Sequence, residues 1–171
     1  MSGKAWVFGD GVNTDVMAPG LYFKSPMEEM AKHCMEAINP DFATQVKPGD
    51  VIVAGENFGV GSAREQAALA FKYHEVAAIL APSFGRIFYR NALNFGVPVL
   101  RFAEYGDIEE GDELHVDPIS GTVENHTQQK TYSVDPIPEY LMDMINAGGL
   151  MPWLHQRLSN GMNNGLGNGE K

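Results

Sequence analysis

Short, uninterrupted apolar runs recur along the first hundred residues, with amphipathic or Ala-rich stretches between them. The runs are Ala5-Trp6-Val7-Phe8, Val51-Ile52-Val53-Ala54, Val76 to Ala81 and Val97 to Phe102. Each is short and, Arg101 apart, apolar, the signature of a strand buried on both faces. Met27 to Ile38, Ala63 to Lys72 and Ser83 to about Asn94 read as helices, with Asn39-Pro40 closing the first and Gly96 at the C′ position of the third. Strands and helices in alternation predict a parallel sheet covered by helices. Further along, the period changes: Glu113 to Val116, Gly121 to Asn125 and Lys130 to Val134 are short strands separated by polar turns, which predicts β-hairpins. A helix is predicted from Pro138 to Ala147, stopped by Gly148-Gly149, and a short last one from Leu150 to Leu158. Residues 1–158 are thus expected to form one α/β domain. Residues 159–171, mostly Asn and Gly, are expected to be a disordered tail.

The loops break this pattern at two places. Gly55-Glu56-Asn57-Phe58-Gly59-Val60-Gly61-Ser62-Ala63-Arg64-Glu65-Gln66 leaves a buried strand and enters a helix. Its glycines permit a tight turn or a close approach, and Ser62 is placed by the pattern at the helix N-cap. Two readings of Ser62 to Glu65 are open. The spacing is that of a capping box, a purely structural device. A hydroxyl, free backbone N–H groups and the Arg64 cation converging at a helix start also make a site for a carboxylate or phosphate, and a cation there does little for the helix itself. Upstream, Val12-Asn13-Thr14-Asp15 follows the first strand, and its polar residues serve either turn chemistry or a site. Val16 to Pro26, with two prolines and a glycine, is a loop whose Tyr22, Phe23 and Lys24 belong to a pocket wall or an interface.

Composition narrows the function. A chain of 171 residues with 44% hydrophobic residues is ample for one core. A net charge of −10 argues against nucleic acid or an anionic membrane as partner, so local cations in glycine-rich loops count for more. No apolar run approaches a membrane span and no basic-then-apolar segment opens the chain, which predicts a soluble cytoplasmic protein. Cys34 is the sole cysteine, so the chain supplies neither an internal disulfide nor an all-cysteine cluster site, and no metal site is expected. His33, His74, His115, His126 and His155 show no ligand spacing.

Four separated motifs, Asp10 to Asp15, Pro19 to Ser25, Ala54 to Glu65 and Pro82 to Pro98, together resemble the small subunit of 3-isopropylmalate dehydratase, equivalent to the swivel domain of aconitase, over about residues 4–155. The resemblance implies a swivelling β/β/α domain of the aconitase C-terminal type, with parallel strands flanked by helices and a β-hairpin region. It implies a hydro-lyase that dehydrates or isomerises a hydroxy di- or tricarboxylic acid, active only with a large subunit. A [4Fe–4S] cluster is then expected on that large subunit and no cofactor on this chain.

The same resemblance assigns roles. Ser62 matches the base that removes a proton next to the leaving hydroxyl, and Asp15 an acidic active-site residue. Arg64 matches the arginine that holds a substrate carboxylate, and Lys24 falls where tricarboxylate-specific relatives carry an arginine. Phe23, Thr14, Gly61 and Ala63 complete the expected substrate-binding set. Lys24 has two readings, a partner for a third carboxylate or a solvated lysine. The sequence departs from the common Gly-Cys-Gly-Ser-Ser-Arg-Glu-His pattern at Val60, Ala63 and Gln66. Homoaconitate, 2,3-dimethylmalate and methylmalate-type acids therefore remain alternatives to 3-isopropylmalate, and a non-catalytic anion-binding module is the alternative of a different class.

Overall fold

The computed structural model describes residues 2–165. The strands β1 (Ser2–Val7), β2 (Val51–Val53), β3 (Ala78–Ala81), β4 (Val99–Arg101), β5 (Glu113–Asp117), β6 (Thr122–Asn125) and β7 (Lys130–Ser133) form one sheet in the order β4-β3-β2-β1-β5-β6-β7. β1 to β4 run parallel, and β1, β5, β6 and β7 run antiparallel in sequence. β1 joins the two halves: its first residues pair with β5, and Ala5 to Val7 pair with β2. The expected division into a parallel core and a hairpin region is therefore present. The burial patterns explain it. β2 and β3 are buried at every position, as a strand covered on both faces must be, whereas β5 and β6 alternate buried with half-exposed positions.

Helices α1 (Thr14–Met17), α2 (Met27–Ala31), α3 (Phe42–Gln45), α4 (Glu65–Tyr73), α5 (Arg86–Asn94), α6 (Glu139–Asn146) and α7 (Leu150–Gly165) accompany the sheet. α4 buries Ala67, Ala68, Ala70 and Phe71. Its small residues let α1, α2 and α5 pack closely on it. Phe58, Phe71 and Phe88 meet edge-on or tilted, with centroids 5.4 to 6.2 Å apart, at the point where the loop after β2 crosses these helices. This cluster fixes the glycine-rich loop to the core.

Three expectations change. The helix expected over 27–38 ends at Ala31 and gives way to turns. Cys34 and Met35 are both fully buried there, and Met35 takes a left-handed φ of +63° while donating its N–H to Val16 O at 3.0 Å rather than to a helical carbonyl. Ser83 is not a helix cap: α5 starts after Gly85, and the Ser83 hydroxyl accepts the Asn57 N–H at 2.8 Å and donates to the Glu56 carboxylate. α7 runs to Gly165, through the first part of the segment expected to be disordered, and residues 166–171 lie outside the described residues.

Candidate active site

The loops that leave β1, β2 and β3 all emerge at the carboxyl ends of parallel strands, where α/β sheets place their ligands. Single bridges, Asn13 with Val60 and Phe58 with Phe84, zip the three loops together. Asn13 caps α1, its side chain accepting the N–H groups of Asp15 at 2.9 Å and Val16 at 3.1 Å. The turn chemistry read from Asn13-Thr14-Asp15 is thus real, and it aims the Asp15 side chain across at the loop after β2.

That loop does not form the capping box. α4 begins at Glu65 with Arg64, extended at φ −97° and ψ 103°, in the N-cap position, and no side chain caps it. Ser62, the cap that its spacing predicts, stands two residues ahead of the actual N-cap, Arg64. The cause is Thr14. Its buried hydroxyl donates to Ser62 O at 3.1 Å, its N–H donates to Val60 O at 2.9 Å, and Arg64 N–H also donates to Ser62 O, at 2.8 Å. These bonds hold residues 61–64 off the helix axis. Gly61 makes this possible, with φ at +114° and the place of a Cβ only 3.0 Å from Thr14 Oγ1. Gly59 at φ +76° is needed for a different reason: its missing Cβ would lie 2.3 Å from Phe88 Cγ.

The side chains expected at the site converge. Asp15 Oδ1 forms an ion pair with Arg64 Nη2 at 2.6 Å and lies 3.5 Å from Ser62 Oγ. Arg64 Nη1 donates to Ala18 O at 2.9 Å, and the guanidinium lies over the Phe23 ring, 4.6 Å from its centroid. The Arg64 side chain is only 18% exposed, while that of Asp15 is 62% exposed. Ser62 and Ala63 are exposed, and their backbone N–H groups have no partner among the described residues. The arrangement is an open cradle: a hydroxyl, unpaired N–H donors and a fixed cation, able to receive a carboxylate. Lys24 is brought to the same loop but not into the cluster. It is exposed and makes no hydrogen bond or ion pair among the described residues.

Three groups in or beside the site loops lie outside the site set expected from the sequence. The Ala18 carbonyl orients Arg64, and no side-chain pattern reveals a carbonyl. Arg86 and Arg90, both exposed and without ion pairs among the described residues, line a groove of about 710 Å³ with Ile87, Gly85 and Gly59 to Gly61. Tyr105 donates to Asp10 Oδ1 at 3.2 Å, and the Asp10 carboxylate pushes the phenol above its ordinary range. Among the described residues, no three His, Cys, Asp or Glu are grouped to hold a metal. Cys34 is fully buried, and burial pushes its thiol far up, so it is no thiolate ligand.

Fold and cradle together define a class: a small α/β domain with a serine–arginine cradle at the open ends of its parallel strands. Comparison with known proteins gives the family. Residues 14–105 match the family model described as aconitase C-terminal domain. The chain is 50% identical over 156 residues to 3-isopropylmalate dehydratase small subunit 2 of Archaeoglobus fulgidus, covering 90% of this chain and 94% of the relative. It is 48% identical over 152 residues to the corresponding small subunit of Sulfurimonas denitrificans, covering 88% and 91%. The crystal structure of 3-isopropylmalate dehydratase from Methanocaldococcus jannaschii superposes with a TM-score of 0.89 at 40% identity, covering 95% of this chain and 98% of that one. The chain belongs to the aconitase C-terminal domain family, among the 3-isopropylmalate dehydratase small subunits. No helix among the described residues is long and apolar enough to cross a membrane.

Proposed function

We propose that this chain is the small subunit of a two-subunit hydro-lyase that acts on 3-isopropylmalate, with the iron–sulfur cluster carried by the large subunit. The observation that supports this most is the exposed Ser62 hydroxyl set beside the Asp15–Arg64 pair, on a loop with unpaired N–H donors. The family match and the identities of 45 to 50% to dehydratase small subunits point the same way.

Each residue has a task. Loss of water across a carbon–carbon bond requires removal of a proton from the carbon beside the hydroxyl-bearing one. Ser62 Oγ takes that proton and passes its own to Asp15 Oδ1, which faces it. Serine is a weak base, so its developing negative charge needs the nearby guanidinium and loop N–H groups. Arg64 donates one N–H to Ala18 O and pairs with Asp15, and its other N–H groups are left for a substrate carboxylate. Gly61 and Ala63 let that carboxylate approach the backbone, Thr14 holds the loop in register, and Phe23 offers an apolar wall to the alkyl group. A cluster carried by the large subunit would supply the activation of the leaving hydroxyl.

One observation favours a second substrate class. Lys24, exposed on the Phe23 loop and unpaired among the described residues, would be free to meet an additional carboxylate, as a homoaconitate-type substrate carries. Anaerobic co-purification of this chain with its large subunit, followed by a screen of 3-isopropylmalate and tricarboxylic hydroxy acids for dehydration, tests the proposal. A cluster-bearing complex that turns over 3-isopropylmalate fastest supports it. A complex that dehydrates no hydroxy acid while its cluster is intact overturns it.

A further inference from the structure

The turns that replace the expected helix after Ala31 lie behind the loop that carries Phe23 and Lys24. Tyr22, at the end of the 3₁₀ turn Gly20–Tyr22, lies flat on the His33 imidazole, with ring centroids 3.6 Å apart and planes 6° apart. The imidazole is held at both edges. Its Nδ1 is 2.6 Å from Glu36 Oε2, its Nε2 is 3.6 Å from Glu29 Oε1, and Lys32 Nζ holds Glu29 at 3.0 Å. Two residues on, the buried Met35 grips the backbone of α1 through Val16 O, next to Asp15. One short stretch therefore backs both the turn that carries Asp15 and the loop that carries Phe23.

Beyond these rings and the packing of Tyr22 against the core, the loop has few ties. Every hydrogen bond among residues 20–25 is local: Tyr22 N–H to Pro19 O, Phe23 N–H to Gly20 O and Ser25 N–H to Tyr22 O. Leu21 is 85% exposed and Phe23 40% exposed. Ring contacts tie the loop to the body, Tyr22 on His33 at one end and Phe23 under Arg64 at the other. We infer that His33 is a positioning residue for this loop. Its clamped imidazole seats Tyr22, and through Tyr22 it sets Phe23 and Lys24 relative to Arg64. Calling the loop substrate-facing rests on the function proposed above. The seating of the loop does not.

The test uses His33→Ala, which removes the ring, and His33→Phe, which keeps a flat ring without the nitrogens. In the full chain alone, trypsin should cut after Lys24 at least about fivefold faster in His33→Ala than in the native protein, and at a near-native rate in His33→Phe. In the assembled enzyme, His33→Ala should raise KM by about 2- to 12-fold, the effect of losing one aromatic pair, with kcat within twofold, and His33→Phe should restore KM. Should either variant fail to fold, Tyr22→Leu and Tyr22→Phe repeat the test from the other ring, with Leu behaving as His33→Ala and Phe as native. Equal cleavage rates in His33→Ala and His33→Phe, or a fall in kcat with KM unchanged, overturn the proposal. An assembled native enzyme without turnover would instead remove the functional reading, while the cleavage rates still decide the role of His33.

Discussion

Three glycines in the site loops offer the sharpest test of the geometry, because adding one methyl group meets a different obstacle at each. At Gly11, φ is +66° and nothing lies within 4 Å of the added Cβ, so Gly11→Ala costs only the left-handed backbone, about 1 kcal/mol. At Gly61, φ of +114° lies outside the left-handed well that alanine tolerates, and the Cβ presses on Thr14 Oγ1 at 3.0 Å. The strain is about 1–3 kcal/mol, and the Thr14 hydrogen bond to Ser62 O adds about 1 kcal/mol if it breaks. At Gly59, the Cβ would sit 2.3 Å from Phe88 Cγ, inside an aromatic cluster that cannot yield, so about 1–3 kcal/mol of overpacking adds to the backbone cost. Thermal melting of the three variants should show the smallest loss at Gly11 and clearly larger losses at Gly61 and Gly59. Activity should rank differently. Gly61→Ala shifts the carrier of Ser62 and should lose at least tenfold in kcat/KM at a temperature where the protein stays folded, while Gly11→Ala stays within about threefold. Native kcat/KM in Gly61→Ala would refute the account of how Ser62 is placed.

Other outcomes follow from single contacts. Lys24→Ala in the assembled enzyme should lower kcat/KM for tricarboxylic hydroxy acids by about tenfold or more, the value of a charged hydrogen bond, and leave 3-isopropylmalate within about threefold. Equal losses on every substrate would remove Lys24 from substrate recognition. Burial pushes His74 below its ordinary value of 6.5, although the Ala31 carbonyl at 2.9 Å opposes the shift. Below pH 6.5 the unfolded chain therefore binds a proton that the folded chain resists, so the contribution of His74 to stability is full above pH 6.5 and is lost as pH falls. His74→Gln, which keeps a donor for Ala31, should flatten the fall in melting temperature between pH 7.5 and 5, and an unchanged slope would contradict this. The buried Asp112 carboxylate is pushed up by desolvation, but bonds from Glu109 N–H, Asn125 and Gln128 at 2.7 to 3.0 Å bring it below its ordinary range. Asp112→Asn leaves donor facing donor and should lower the melting temperature by about 3–10 °C without loss of kcat.

The parallel core was legible because β2 and β3 are buried on both faces and leave no polar position in the pattern. The hairpins were legible from the polar turns between their short strands, and the structure gives those strands an alternation of buried and wetter positions. Where the sequence misled, a distant contact outweighed a local preference. Ser62 has the spacing of a cap, yet Thr14, 48 residues earlier, holds its backbone off the helix. Met27 to Ile38 has helical periodicity, yet burying both Cys34 and Met35 beside Val16 turns the chain. Asp15 and Arg64 were assigned through motif resemblance, and their 2.6 Å ion pair depends on a strand pairing that no local window contains. The stack of Tyr22 on His33 lay hidden for the same reason, since it joins a loop to a stretch whose periodicity reads as helix.

The central claim is that Ser62 moves the proton and Arg64 holds the carboxylate. Its most direct test is Ser62→Ala in the complex with the large subunit, with kcat and the affinity for a non-reacting substrate analogue measured side by side. The account predicts a fall in kcat of about 10²- to 10⁴-fold with affinity changed less than about threefold. A kcat within tenfold of the native enzyme would contradict it and leave the cradle as a binding site alone.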